Sequence, residues 1–444
     1  MPTLLLARLL SLVLAFASTA GLASGVPAWQ GHWSGTLTFR GDTWPVRLAL
    51  PASLEAATID LPALWMAWEP LAASAERDAL TVELPFGLGA VELAPCEAGL
   101  CGTSALGKDT LVVALHPEPP LDITRSPVTL HSGVATLHGE FLEPGGSNLP
   151  AVVLVHGSGN NTRADWNYRS AADFWLRHGH AVLLYDKRGS GESDGEWMTT
   201  SFPDLADLGA DLQAALAWVA QQPGVDEGRI GVHGGSQALW TVAIATQLGA
   251  RPDFAVISGA PATTPLVQER DSVHRRLQGA DLSPDELDAA RRHVDLYFRA
   301  AADPAHAEAA IASSRVAAGT AWESLVPLAA TDDDFFWWRR NHAVDPGTAL
   351  RAWEMPVLVL QGEADAVVTP DLHLPRIRGL IDPARLTVAT VPGAAHNLEL
   401  PGGRDDTGQW RFPRRHPDVA GVIEDWLPVR AAMLAPPDAS PAPR

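Results

Sequence analysis

Residues 229–240 read Arg-Ile-Gly-Val-His-Gly-Gly-Ser-Gln-Ala-Leu-Trp: a short apolar strand that stops at glycines and a serine, then restarts as an apolar helix. Few folds accommodate that junction. A strand that turns straight into a helix strains the backbone of the residue at the corner, and the positions two before and two after it face the adjoining strand and helix. Only small side chains fit there, and Gly234 and Ala238 hold those positions around Ser236. The helix start behind Ser236 offers unpaired N–H groups and the positive end of a dipole. The N–H of Gln237 is therefore placed to meet negative charge developing beside the serine hydroxyl.

The chain on either side keeps the same rhythm. Apolar, glycine-ended strands are expected at 133–144, 150–159, 181–189, 229–236, 254–261, 355–365 and 385–396, with an amphipathic helix over 203–221. Strand–helix alternation of this kind predicts an α/β fold, a mostly parallel central sheet flanked by helices. Open α/β sheets carry their sites at the carboxyl ends of the strands. Asp365 follows the next-to-last expected strand and His396 the last. A serine hydroxyl attacks poorly until a base takes its proton and an acid orients that base. The order Ser236, Asp365, His396 supplies nucleophile, acid and base in turn. Glu363 is the competing acid, and a turn-capping role is the plain alternative for Asp365. His373 is the competing base on a helix face. The segment His156-Gly157-Ser158-Gly159 ends the strand before it, and the N–H of Ser158 is the candidate second oxyanion donor beside Gln237. In Tyr185-Asp186-Lys187-Arg188-Gly189, Asp186 and Arg188 are read as holding a glycine turn. Asn160-Asn161-Thr162 is read as loop.

Before this core, residues 26–120 alternate apolar and polar side chains in short runs broken by turns, which predicts a small antiparallel β domain. Prolines 117, 119 and 120 mark a linker, and the core is expected over 128–261 and 355–430. The intervening 262–354 is helix-rich and reads as a cap insertion. Its Trp322, Phe335, Phe336, Trp337 and Trp338 are candidates for an apolar substrate pocket, with packing inside the insertion as the alternative. Residues 1–23 read as a secretory signal with one basic residue, Arg8, before a short apolar run, and 433–444 as a disordered tail. An N-terminal anchor helix is the other reading, although the run is shorter than the roughly 18–20 residues a span needs. Cys96 and Cys101 are the sole cysteines and form the candidate disulfide of an exported chain.

Composition narrows the partners. The formal charge of −20 over 444 residues repels polyanions, so nucleic acid and anionic membrane surfaces are set aside. No cofactor and no metal site are expected, because no Cys/His spacing suits a metal. Stable membrane insertion is not expected after signal removal. Only two of 32 basic residues are lysine, a bias that fits a GC-rich bacterial genome.

Val155-His-Gly-Ser-Gly, Tyr185-Asp-Lys-Arg-Gly-Ser-Gly-Glu-Ser, Gly234-Gly-Ser-Gln-Ala, Asp345-Pro346 and Pro392-Gly-Ala-Ala-His-Asn-Leu together resemble a bacterial α/β-hydrolase family of serine carboxylesterases. Its members join a β-rich N-terminal domain to a hydrolase domain with a helical cap. The resemblance covers about 128–430 closely and 29–115 loosely. It implies Ser236 as nucleophile, Asp365 as acid, His396 as base, and backbone donors near Ser158 and at Gln237. The chain departs from the pattern at Ala238, where a glycine is usual, at Gln237, where His or Glu is usual, and after Gly159, where the loop lacks the common acidic–basic run. The expectation is a periplasmic or secreted esterase acting on small-molecule esters. An exported peptidase or amidase is the second reading, separated by ester against amide turnover. A catalytically silent binding protein is the third, separated by labelling of Ser236 with a fluorophosphonate. The oligomeric state is left open.

Overall fold

Alternating burial shapes the first third of the chain. In a computed structural model, which describes residues 27–76, 79–197, 202–404, 408 and 410–434, nine strands form one antiparallel sheet. They are β1 (Gly31–Phe39), β2 (Asp42–Leu50), β3 (Thr58–Leu61), β4 (Met66–Pro70), β5 (Ala73–Glu76), β6 (Ala79–Leu84), β7 (Gly89–Cys96), β8 (Gly99–Leu106) and β9 (Asp109–Pro117). Along β6, Leu80, Val82 and Leu84 turn inward while Thr81 and Glu83 face water. That period of two recurs across the sheet, whose inner face buries Leu37, Leu48, Val91 and Leu93. The β1–β2 hairpin turns on Arg40 and Gly41, both at positive φ, the backbone that a two-residue hairpin matching strand twist requires. Cys96 and Cys101 are joined by a disulfide across the β7–β8 hairpin.

The second sheet has eight strands: β10 (Ile123–Ser132), β11 (Ala135–Pro144), β12 (Leu149–Val155), β13 (Ala181–Tyr185), β14 (Val225–Gly235), β15 (Phe254–Ser258), β16 (Val357–Gly362) and β17 (Leu386–Val391). Their order is β10-β11-β13-β12-β14-β15-β16-β17. The first two pairings are antiparallel and the remainder parallel, so the sheet is mixed. The helices are α1 (Trp166–Arg177), α2 (Leu205–Val219), α3 (Ala238–Gln247), α4 (Pro265–Gln278), α5 (Pro284–Ala302), α6 (Ala307–Ala317), α7 (Phe336–Asn341), α8 (Gly347–Ala352), α9 (Pro370–Leu380) and α10 (Asp418–Leu434), and all but α4 to α7 pack on the two faces of the sheet. The central strand β12 is buried on both sides. Val153 and Val155 pack with α2 and α3, Val152 and Leu154 with α1 and α10. This is the α/β-hydrolase architecture.

Three expected boundaries move. The hydrolase sheet starts at Ile123, not 128, because β10 is an edge strand whose polar residues and Pro127 hide it from a hydrophobic pattern. The insertion between β15 and β16 builds its own core from Val273, Leu277, Val294, Phe298 and Phe335. It ends before α8, since Ala349, Leu350 and Trp353 pack into the sheet core. Met433 and Leu434 belong to α10 rather than to a tail. The expected signal segment and residues 435–444 lie outside the described residues.

The two sheets meet at α1. Arg169 pairs with Glu69 at 2.6 Å, Arg47 with Asp173 at 3.3 Å, and Arg177 reaches both Asp60 at 3.6 Å and Glu118 at 3.3 Å. Burial and the neighbouring Asp173 push the Asp60 carboxyl up to about 6. After β17, the chain returns to the first sheet, where the Phe412 ring meets Trp44 edge-on at 5.8 Å.

Candidate active site

Ser236 sits where β14 turns into α3, with φ at +54°, a left-handed conformation a non-glycine residue adopts only when the surroundings enforce it. The enforcement is visible. Ser236 donates its N–H to the Ser258 carbonyl at 2.8 Å. A Cβ on Gly234 would lie 2.5 Å from the Val155 carbonyl oxygen and 2.6 Å from the Ala238 Cβ. The alanine therefore fits its small site only because Gly234 opposes it.

Asp365 follows β16 and is buried, its side chain fully so. Its Oδ1 accepts the N–H groups of Val367 and Val368, both at 2.8 Å. Its Oδ2 accepts Gln361 Nε2 at 2.9 Å and His396 Nδ1 at 2.9 Å. Two backbone N–H groups and an amide already make Asp365 the acceptor, so the contact with His396 is read with the proton on Nδ1, which leaves the lone pair on Nε2. His396 and Ser236 line the same cleft, about 840 Å³ in volume.

The competing residues lie elsewhere. Glu363 is exposed and accepts the Gly393 N–H at 3.0 Å. His373 is buried on α9, accepts the Ala262 N–H at Nδ1, and is held down to about 4 by burial. Burial likewise pushes His156 and His233 down to about 3, and each is spent on packing contacts, with the Tyr185 carbonyl and the Trp175 indole respectively.

The loop after β12 presents Ser158 to the same cleft. The Gly157 N–H is already taken by the Tyr168 hydroxyl at 2.9 Å. Asn161 Nδ2 donates to the carbonyls of Gly157, Ser158 and Gly159 at 3.0–3.1 Å. The loop's carbonyls thus point at Asn161, and the N–H groups of Ser158 and Gln237 carry no hydrogen bond among the described residues. Asp186 braces this loop by accepting the Arg163 N–H at 2.9 Å, and Arg188 pairs with Asp211.

The five aromatic candidates divide. Trp322 and Phe335 are buried in the core of the insertion, so neither reaches a cavity. Phe336 lies under Arg340, with the guanidinium 5.0 Å from the ring centre, and lines neither cavity. Trp337 and Trp338 do line one, a smaller space of about 230 Å³ beside Gln237. The split within the run has a helical cause: residues of a short helix fan out around its axis, so Phe335 to Trp338 cannot all reach one wall.

Residues 132–374 match the family model described as X-Pro dipeptidyl-peptidase (S15 family). The chain belongs to the S15 family. Among curated proteins, this S15 chain is 34% identical over 126 residues to the polyketide transferase af380 of Aspergillus fumigatus, covering 28% of this chain and 40% of that protein. It is 30% identical over 143 residues to the polyketide transferase grgF of a Penicillium species, covering 32% and 45%. The chain thus spans less than half the length of these relatives. Similar solved structures include the α/β hydrolase GrgF from Penicillium, at TM-score 0.43 and 18% identity over 70% of this chain and 98% of that one. Another is Est1E of Butyrivibrio proteoclasticus with ferulic acid bound, at TM-score 0.44 and 14% identity over 69% and 99%.

Three residues of this S15 site escape a motif search. Lys187 is 1% exposed and pairs with no carboxylate among the described residues. Its Nζ donates to the Gly157 carbonyl at 2.7 Å, the Gly159 carbonyl at 3.2 Å and Gln237 Oε1 at 2.7 Å. It ties the Ser158 loop to the elbow, and burial lowers its ammonium to about 7. Gly259, at φ +53°, leaves room for the base: a Cβ there would lie 2.9 Å from His396 Cε1. Gln361 is fully buried and steers Asp365. The sequence signal for Lys187 was its rarity, one of two lysines in a chain rich in arginine.

Proposed function

We propose that this S15 protein hydrolyses carboxylic esters through Ser236, His396 and Asp365. One observation carries the reading: Asp365 is saturated by four donors, one of them His396 Nδ1, so the opposite nitrogen is basic in the cleft that Ser236 lines. Ser236 Oγ attacks the ester carbonyl while His396 Nε2 takes its proton. The carbonyl oxygen becomes an oxyanion between the N–H groups of Ser158 and Gln237. His396 returns the proton to the departing alcohol, and water, activated by the same imidazole, releases the acid from Ser236. Lys187 keeps the two donor segments together. Export is part of the proposal, to a bacterial periplasm or beyond the cell. The Cys96–Cys101 bridge supports it, since disulfides persist in oxidising compartments.

The family's description favours a second reading, a peptidase, because the same machinery can expel an amine. Fluorophosphonate labelling followed by peptide mapping, then a p-nitrophenyl ester series against aminoacyl- and X-Pro-nitroanilides, separates them. Labelling at Ser236 with faster ester turnover is the expected result. Faster nitroanilide turnover moves the assignment to the peptidase, and absence of labelling at Ser236 removes both.

A further inference from the structure

Two cavities adjoin the carbonyl position and differ in size and in walls. The cleft of about 840 Å³ has Ser236 and His396 within it, and one wall comes from turns of the N-terminal β domain: Leu64 and Trp65 before β4, and Phe86 between β6 and β7. The Phe86 ring stands edge-on to Trp166 of α1 at 5.7 Å, and both rings are 44% exposed at this junction. The space of about 230 Å³ is walled by Trp197, Trp240, Trp337 and Trp338, with Lys187 and Gln237 beside them. Ser158, Gln268 and Glu269 belong to both. An apolar cavity of roughly 150 Å³ accepts benzene, so the smaller space is on the scale of one ring or a short chain.

Chemistry assigns the two. A tetrahedral intermediate on Ser236 points its oxyanion at the Ser158 and Gln237 N–H groups, leaving two directions for the acid part and the alcohol part. The imidazole that took the serine proton must deliver it to the alcohol oxygen, so the alcohol lies on the side His396 lines. His396 lines the large cleft and not the small space. The acid part then takes the small aromatic space.

We propose that the enzyme selects esters of a small acid with a bulky apolar alcohol, and that Trp65 and Phe86, in turns of the N-terminal β domain, build the alcohol site. The inference rests on the ester reading above. The Arg169–Glu69 and Arg47–Asp173 pairs join the β domain to α1, next to these rings.

Two ester series test it on the full chain. In one, acetate is fixed and the alcohol grows from ethyl through butyl and benzyl to naphthylmethyl. In the other, p-nitrophenol is fixed and the acid grows from acetate to decanoate. The wild type should prefer the large alcohol and the short acid. Phe86→Ala should lower kcat/KM for naphthylmethyl acetate about tenfold more than it lowers kcat/KM for ethyl acetate, the scale of one lost aromatic contact. Trp337→Ala should instead relax the acid-length limit and leave the alcohol preference in place. Reversal of the two patterns, or equal losses on every ester by both variants, overturns the assignment. A wild type that turns over nitroanilides and not esters refutes the ester reading itself, and that result appears before any variant is made.

Discussion

Gly259→Ala should slow this enzyme without removing any group that takes part in chemistry. The added Cβ would lie 2.9 Å from His396 Cε1, 3.0 Å from its Nδ1 and 3.4 Å from Asp365 Oδ2. Ordinary contact begins at 3.4 Å, so the imidazole must recede by about half an ångström. Asp365 cannot follow, because Gln361 and the N–H groups of Val367 and Val368 hold it. The 2.9 Å bond between Asp365 and His396 is therefore strained, and the ring's free nitrogen moves relative to Ser236. Misplacement by about 1 Å costs on the order of 10²-fold in rate, so a loss of about 10- to 100-fold in kcat is expected. The left-handed backbone adds about 1–2 kcal/mol of instability. Gly133→Ala supplies the control: Gly133 has φ +60° in the β10–β11 turn, and its added Cβ meets nothing within 4 Å. It should show the same stability loss in urea and wild-type kcat on p-nitrophenyl acetate. A Gly259→Ala enzyme within about twofold of wild-type kcat, or an equal rate loss in Gly133→Ala, would refute the reasoning.

Asp365→Asn should lower kcat by about 10³- to 10⁴-fold with the fold intact, since an amide stabilises the wrong imidazole tautomer; a loss under about tenfold would mean the acid lies elsewhere. Lys187 titrates near 7 in the fold against an ordinary 10.5, so between those values the unfolded chain holds the extra proton and stability rises with pH. Urea unfolding of wild type and Lys187→Met should therefore diverge in favour of the wild type as pH rises from about 7 to about 10, and a pH-independent difference would sink this account. The same variant should lower kcat more than it raises KM, because the oxyanion donors rather than the substrate site lose their tie. Replacing both Cys96 and Cys101 by serine should cost about 2 kcal/mol in stability, as expected for a short closed loop, with kcat unchanged; a change in kcat would place the hairpin in the working site.

The elbow was legible because sterics admit so few side chains around Ser236, and β12 and β16 were legible because strands buried on both faces read as unbroken apolar runs. The edge strand β10 was not, since an edge tolerates polar residues and Pro127. Nor was α8, six residues long and apolar only toward the sheet. The aromatic run 335–338 misled for a related reason. Its composition was plain, but which ring faced a cavity depended on the helix phase and on what packed above it.

Residue order alone determined the α/β class, the elbow and the chain order of serine, acid and histidine, because each follows from local sterics or from periodicity. Tertiary structure decided everything that depends on distance between separated segments. It gave Asp365 four donors, His396 Nδ1 among them, and turned Glu363 to the surface. It made Lys187, 50 residues before Gln237, a tie between the Ser158 loop and the elbow. It also brought turns of the N-terminal β domain to the cleft, where Trp65 and Phe86 share a lining with a serine far along the chain. No periodicity encodes such a meeting, since it arises only when two independently buried cores dock.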